Sequence, residues 1–385
     1  MADGRPPGRT VRAAGGYAAF VPDPLPPDLI WTPDLVRALS DADRLIGRLA
    51  GEAGRWPNPH LLIRPFVRRE AVLSSRIEGT RATLGELLAA EAVDAVQRSP
   101  DDLREVANYV AALEFGVKRL DTLPLSLRLV RELHARLMTG VRGDYATPGE
   151  FRRSQNWIGA PDATLANATY VPPPPEALMD CLGAWEKFLH DHSLPVLAQA
   201  ALMHVQFESI HPFVDGNGRV GRLLTTLFLV ERQVLPTPLL YLSAFFEATR
   251  TDYYNRLQGV QARGEWNDWL VYFLNGVARQ SEDALSRAER INRLIARWRS
   301  GVAGSSAVSL RLLDLVVQNP YCTIRRAQRQ LGVAFTTAQR AMEKLQAAGI
   351  LKLVNKAKRD RVYCATSVLK ILEEPARLTP PERRG

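Results

Sequence analysis

Cysteine is scarce in this chain: Cys181, Cys322 and Cys364 are the only three in 385 residues. They lie too far apart for a CxxC metal knuckle, and an odd number builds no self-contained disulfide framework, so a reducing, cytoplasmic setting is expected. Apolar runs are short as well. Met1 to Thr10 has no hydrophobic stretch, and the longest apolar segment, Leu223 to Phe246, is broken by Glu231, Arg232, Pro236 and Pro238. Neither a signal peptide nor a membrane span is expected. There is no GxxxxGK[ST] and no strand-borne GxGxxG, which removes the main phosphate-loop folds. Strand-like alternation is nearly missing before residue 305, so the fold class reads as mainly α.

With 46% hydrophobic residues the chain is globular, and its length exceeds what one core usually supports, so two or three domains are expected. Its net charge of +9 is unevenly placed: residues 1–304 carry 35 basic and 35 acidic side chains, residues 305–385 carry 15 against 6. Five of the seven lysines fall in that last stretch. The shift sets a boundary at the small-residue run near Gly301 to Ser306. The expected organisation is an extended, flexible arm (1–32), an N-terminal helical region (33–125), a central helical core (126–300), a linker (301–308), a basic module (309–372) and a flexible tail (373–385).

Helical periodicity begins at Pro33. A helix from about Pro65 to Glu78 should stop at Gly79, and Thr83-Leu84-Gly85-Glu86 reads as a capping box opening the next. Further patterns cover about Asp101–Leu120, Ser126–Leu137, Pro175–His190, Pro195–Ser209, Arg219–Gln233, Thr251–Gln261 and Asn267–Arg299. Between them, Asn156–Gly159 and Ala168–Val171 are short apolar runs set among turn-formers and closed by four prolines. They read either as a two-stranded flap or as a plain connection.

The densest chemistry lies in His211-Pro212-Phe213-Val214-Asp215-Gly216-Asn217-Gly218-Arg219-Val220-Gly221-Arg222. Val220, Leu223, Leu224, Leu227 and Phe228 repeat at i, i+3, i+4, i+7 and i+8, so a core-facing helix starts near Gly218 or Arg219. The glycine-rich turn therefore sits at a helix N-terminus, where free N–H groups and the positive dipole end make an anion site. Arg219 and Arg222, three apart, can add charge-assisted bonds to the same polyphosphate. Asp215 offers the hard carboxylate oxygen that Mg²⁺ prefers. His211, with an ordinary pKa near 6.5, can accept a proton near neutrality.

This segment resembles the signature of the Fic family, HPFx[D/E]GN[G/K]RxxR, without departure. The resemblance implies an all-helical Fic fold with a short β-hairpin flap, and transfer of AMP from ATP to a Ser, Thr or Tyr hydroxyl of a protein, the chain itself included. It implies His211 as the base, Asp215 as the Mg²⁺ ligand, and residues 215–222 as the nucleotide site: Gly216, Asn217 and Gly218 cradle phosphate, and Arg219 and Arg222, with Val220 and Gly221 between them, bind its outer groups. Gly218, where kinase-like relatives carry lysine, favours adenylylation. Thr169, Tyr170 and Val171 resemble the flap that aligns the target chain; Tyr253, Tyr254 and Gln261 resemble the adenine-side wall. Ser74-Ser75-Arg76-Ile77-Glu78-Gly79 is similar to the family's inhibitory motif, [S/T]xxxE[G/N], placed N-terminally as in class II members. By that likeness Glu78, assisted by Ser74, pairs with Arg222 and blocks the γ-phosphate. Locally Glu78 is unexpected, because a carboxylate in a last helical turn faces the negative dipole end at a cost of about 0.3–1 kcal/mol.

Residues 309–365 read helix, helix, helix, hairpin, which resembles a winged helix-turn-helix. Ala338, Ala341, Met342 and Leu345 form the buried face of its third helix; Gln339, Arg340, Glu343 and Lys344 point outward, and Lys356, Lys358, Arg359 and Arg361 cluster in the wing. DNA is one partner for that surface and a protein or a second copy of the chain is another, so a homodimer stays open. The leading reading is thus a protein adenylyltransferase using ATP and Mg²⁺. Its alternatives are a DNA-binding regulator with a sensory or silent core, transfer of a different phosphate-containing group, and removal of AMP.

Overall fold

A computed structural model describes residues 7–56, 58–141, 147–160, 162–302, 304, 306–355 and 361–376. Two antiparallel strands open it, β1 (Gly8–Arg12) and β2 (Ala18–Pro22), with Thr10 opposite Phe20. Helices follow: α1 (Pro33–Ala53), α2 (His60–Ile77), α3 (Leu84–Ala92), a 3₁₀ turn (Val96–Arg98), α4 (Asp101–Arg119), α5 (Leu127–Met138), α6 (Pro175–Leu189), α7 (Val196–Ile210), α8 (Asn217–Glu231), α9 (Ser243–Ala248), α10 (Arg250–Arg263) and α11 (Trp266–Gly301). The chain ends in α12 (Ala307–Gln318), β3 (Tyr321–Thr323), α13 (Ile324–Leu331), α14 (Phe335–Ala347), β4 (Lys352–Leu353), β5 (Val362–Cys364) and α15 (Thr366–Glu373). None of the described helices is long and apolar enough to cross a membrane.

Helix α7 is the central post. Every residue from Leu197 to Ile210 is buried, as expected of a helix without a polar face. It is ringed by α6, α8, α10, α11 and α1, and its aromatic neighbours interlock: Trp269 Nε1 donates to the Ala201 carbonyl at 2.8 Å and Trp185 Nε1 to that of Met203 at 3.0 Å. Sequence signals place several starts well. Thr32 accepts from the Leu35 N–H at the head of α1, and Thr83 with Glu86 forms the reciprocal capping box of α3.

Four features depart from the sequence reading. The arm is structured over residues 8–22: β1 and β2 form a hairpin, and the Phe20 N–H donates to the Val171 carbonyl at 2.9 Å. Aromatic side chains, not periodicity, hold it, with Tyr17 Oη donating to Gln155 at 3.0 Å and the Phe20 and Tyr170 rings 6.0 Å apart. Helix α2 starts at His60 and keeps Pro65 inside it. The extra turn buries Leu61 and Leu62, which offsets the backbone hydrogen bond that Pro65 cannot make. The linker is short: α11 runs to Gly301 and the Ser306 side chain caps α12 through the Ser309 N–H. Helix α15 follows the last strand, packing against α11 and α2.

In the C-terminal module the three strands are antiparallel in the order β3-β5-β4. Ala338, Ala341, Met342 and Leu345 are the buried face of α14, and Thr336, Thr337, Arg340, Glu343 and Lys344 are exposed. Lys356, Lys358 and Arg359 lie outside the described residues; Arg361 is exposed. The module is not a pendant. Helices α12 and α15 pack on α2 and β3 packs on α3. Asn319 Nδ2 donates to the Leu88 carbonyl at 3.0 Å, the Glu373 carboxylate accepts from the Gly85 N–H at 3.1 Å, and Arg326 and Arg329 bond the Glu91 carbonyl and the Asp94 carboxylate.

Candidate active site

A cleft of about 520 Å³ lies where the N-terminus of α8, the C-terminus of α2, the flap and α10 meet. Helix α7 ends at its floor with His211, a left-handed C-cap residue at φ 49°, ψ 61°. A non-glycine residue holds that conformation only when its surroundings enforce it. Here the His211 carbonyl accepts from Arg152 Nε at 3.0 Å and from Asn156 Nδ2 at 3.2 Å. Its Nδ1 lies 3.2 Å from the Glu208 carbonyl. A carbonyl can only accept, so Nδ1 carries the proton and Nε2 keeps its lone pair. Burial pushes the imidazole down to about 4; the Glu208 carbonyl opposes this and the Arg152 charge reinforces it. At neutral pH His211 is therefore an unprotonated base.

The turn that follows is built around Asn217. This side chain is turned inward, accepting from the Phe213 N–H at 2.8 Å and donating to the Phe213 carbonyl at 2.9 Å. Gly216 takes φ 80° as the N-cap of α8, which has no side-chain cap, so the first-turn N–H groups are left for a ligand. His134, which sequence reasoning missed, braces the turn from outside: its ring stacks on Phe213 at 3.7 Å and its Nε2 lies 3.0 Å from the Asp215 carbonyl. Asp215 accepts from the Gly216 N–H at 2.6 Å through one oxygen, and the carboxylate is 45% exposed. Among the described residues no three His, Cys, Asp or Glu side chains could hold a metal together. A half-open single carboxylate still fits Mg²⁺, which keeps several waters and takes its other ligands from phosphate.

The two arginines differ. Arg219 is buried against Glu105 of α4, with Nη1 to carboxylate oxygen 3.2 Å. Glu105 too was invisible in sequence, being 114 residues away. Arg222 lines the cleft, buried, with its Nε donating to Ser74 Oγ at 2.9 Å, and one Nη to the Ser74 carbonyl at 3.0 Å and to Glu78 Oε1 at 2.6 Å. Burial alone would raise the Glu78 carboxyl, but Arg222 beside it outweighs that and holds it below the usual carboxylate range. The same Oε1 lies against Gly218, where an added Cβ would sit only 2.3 Å from it. Glu78 thus fills both the turn and the guanidinium. Val220 is buried in the core, and Gly221 packs against α7, where a Cβ would come within 2.6 Å of Glu208; neither lines the cleft.

On the far wall, Tyr254 presents a ring that is 41% exposed. Tyr253 is a core residue at the cleft's edge, fully buried, its hydroxyl 2.8 Å from His204 Nε2. Gln261 Nε2 donates to Ser209 Oγ at 3.3 Å. The flap consists of one antiparallel bridge, Ile158 with Tyr170. Thr169 and Tyr170 line the cleft, and Val171 turns its carbonyl to the N-terminal hairpin.

Residues 36–118 match the family model described as Fic/DOC family N-terminal, and residues 124–229 match that of the Fic/DOC family. Two consecutive segments of the chain thus match the two Fic/DOC family models. It is similar to the protein adenylyltransferase Fic of Drosophila virilis, with 35% identity over 162 residues, 40% of this chain and 31% of that protein. The chain thus matches about a third of such relatives' length. Its fold is also that of a Fic family protein from Desulfovibrio desulfuricans G20, with TM-score 0.57 and 20% identity over 89% of this chain and 98% of that one. Fic-1 of C. elegans (residues 134–508) aligns at TM-score 0.50 and 20% identity, over 66% and 73% of the two chains.

Proposed function

We propose that this chain is a class II protein adenylyltransferase: it transfers AMP from ATP to a Ser, Thr or Tyr hydroxyl of a protein, and Glu78 on Arg222 restrains it. One observation carries the reading: His211, Gly218 at the uncapped start of α8, and Arg222 line a single cleft. His211 Nε2 takes the proton of the target hydroxyl as its oxygen attacks the α-phosphorus. Pyrophosphate leaves, its charge met by the α8 N-terminus and Arg222. Mg²⁺, when bound, neutralises phosphate charge and would be held by Asp215. In this reading Tyr254 and Gln261 face the adenine, and Thr169 and Tyr170 face the target chain.

The test compares ATP labelled at the α- or γ-phosphate with wild type, Glu78→Gly and His211→Ala. Label on protein from the α-position alone, strongest in Glu78→Gly and lost in His211→Ala, supports the reading. Label from the γ-position alone replaces it with a kinase.

A second reading, DNA binding by a winged-helix module, is favoured by the exposed outer face of α14 and the surplus of basic residues beyond residue 304. Binding to duplex DNA that weakens with salt and with Lys356→Ala and Lys358→Ala would support it; no binding at low salt removes it.

A further inference from the structure

Away from the cleft, a cluster of buried charge joins α2 to α11. Asp283 and Arg287 of α11 pair at 2.7 Å and 3.0 Å. Arg287 Nη1 donates to the Ile371 carbonyl, and Nη2 also reaches the carbonyls of Glu374 at 2.8 Å and Pro375 at 3.1 Å, so most of its donors are engaged. Arg69 of α2 enters the same cluster with a side chain only 12% exposed. Its nearest carboxylate oxygen, on Asp283, lies at 3.6 Å, too far for a hydrogen bond. Gln280, 3% exposed, has a buried Nε2 without any partner. Arg69, Gln280, Asp283 and Arg287, with Phe66 and Leu239, enclose a cavity of about 20 Å³, room for one water-sized occupant.

The charges do not cancel. Two guanidiniums face one carboxylate within 4 Å, while Glu247 lies 3.6 Å from Arg76, Glu374 bonds Arg290 at 2.6 Å, and Glu70 and Glu247 act on Arg69 only through space. Glu70, fully buried, accepts from the Tyr109 and Ser243 hydroxyls, and burial raises its carboxyl toward the neutral form. Burial, then the like charge of Arg287, pushes the Arg69 guanidinium down to about 10. A water could satisfy the Gln280 amide but would bring no negative charge to Arg69.

We propose that this cavity binds one small monovalent anion, a halide such as chloride, held by the Arg69 guanidinium and the Gln280 amide. The anion ties α2 to α11 where α15 also docks. Arg69 lies five and nine residues before Ser74 and Glu78 on the same helix, so an occupied site stiffens the segment that delivers Glu78 to Arg222. That regulatory consequence rests on the adenylyltransferase reading; the anion site itself does not.

The decisive experiment crystallises the full chain with bromide in place of chloride. An anomalous peak between Arg69 and Gln280 is expected, and density without anomalous signal, as from water, overturns the site. In solution, halide should raise the melting temperature over gluconate of equal ionic strength by roughly 2 °C or more. Gln280→Glu, which supplies a built-in carboxylate, should fold and melt independently of halide; a halide response that survives it also refutes the site. Self-modification should be lower in chloride than in gluconate with Glu78 intact and equal in Glu78→Gly. A bromide peak without that difference overturns the regulatory consequence, and an inactive Glu78→Gly protein overturns the reading of the cleft instead.

Discussion

Replacing Glu78 with glycine isolates the contact on which the proposed restraint depends. The substitution removes the 2.6 Å bond from Arg222 but leaves the two bonds it donates to Ser74 at 2.9 Å and 3.0 Å, so the guanidinium keeps its orientation and gains a free N–H edge. Hydrogen bonds to charged groups contribute roughly 1.5–3 kcal/mol. The Glu78 side chain is 35% exposed, and screening places this bond at the lower end, about 1.5–2 kcal/mol. The nucleotide no longer has to displace the carboxylate, so transfer should rise about 10- to 30-fold, at about 1.4 kcal/mol per tenfold. Without nucleotide the same variant should melt below wild type, because a buried guanidinium has lost its counter-charge. Mg-ATP should restore most of the difference. The assay is incorporation of α-labelled phosphate into the chain itself, paired with thermal unfolding with and without Mg-ATP. A folded Glu78→Gly protein that labels at the wild-type rate refutes the reasoning, since the bond would then restrain nothing.

Burial lowers His134 to about 4, His204 to about 3 and His211 to about 4, against about 6.5 unfolded. Below pH 6.5 the unfolded chain takes up protons that the native one refuses, so stability should fall steadily from about pH 6.5 to 4 in denaturant titrations; a flat profile contradicts these assignments. Glu208 acts in the opposite sense, since burial raises it to about 7 while Arg222 opposes and Glu78 assists. The native carboxyl keeps its proton where the unfolded one has lost it, so its stabilisation wanes from about pH 4.5 to 7; Glu208→Gln should melt above wild type at pH 8 and lose that advantage by pH 4.5. Cutting the module's hold on α3 with Glu373→Ala and Asn319→Ala together should raise self-modification with Glu78 present and change nothing in Glu78→Gly, measured by the same labelling assay.

Legibility in the sequence followed the range of the interaction. His211 to Arg222 could be read because a helix start, its glycine turn and its charges are local, and of these His211, Gly218 and Arg222 line one cleft. The partners that decide what each residue does were not local. Asn217 looks like a ligand residue until its inward bonds to Phe213 appear. The family likeness pointed Glu78 and Ser74 at Arg222, 144 and 148 residues away, but nothing in the sequence pointed Glu105 at Arg219, 114 residues away. The adjacent tyrosines split the same way: Tyr253 is core and only Tyr254 offers a face. The N-terminal hairpin was hidden for a further reason. Its strands are short and proline-flanked, and they are held by aromatic contacts and backbone bonding to the flap, which composition does not encode.

The placement of Glu78 joins these scales. A carboxylate at the end of α2 is poorly placed for its own helix, but α2 ends where α8 begins, and the unfavourable dipole end of one meets the favourable end of the other. Glu78 lies against Gly218 and Arg222, the groups an incoming phosphate would use. On the proposed reading the two anions compete for one seat, and the outcome depends on how firmly α2 is held as much as on either affinity. On its inner side Glu70 accepts bonds from Tyr109 and Ser243; on its outer side lie α12 and α15. A ligand can shift that balance only by binding one state better than the other. Offsetting a bond of about 2 kcal/mol takes roughly a 30-fold preference. One partner on the C-terminal module can supply that preference, provided that its binding loosens the grip of α12 and α15.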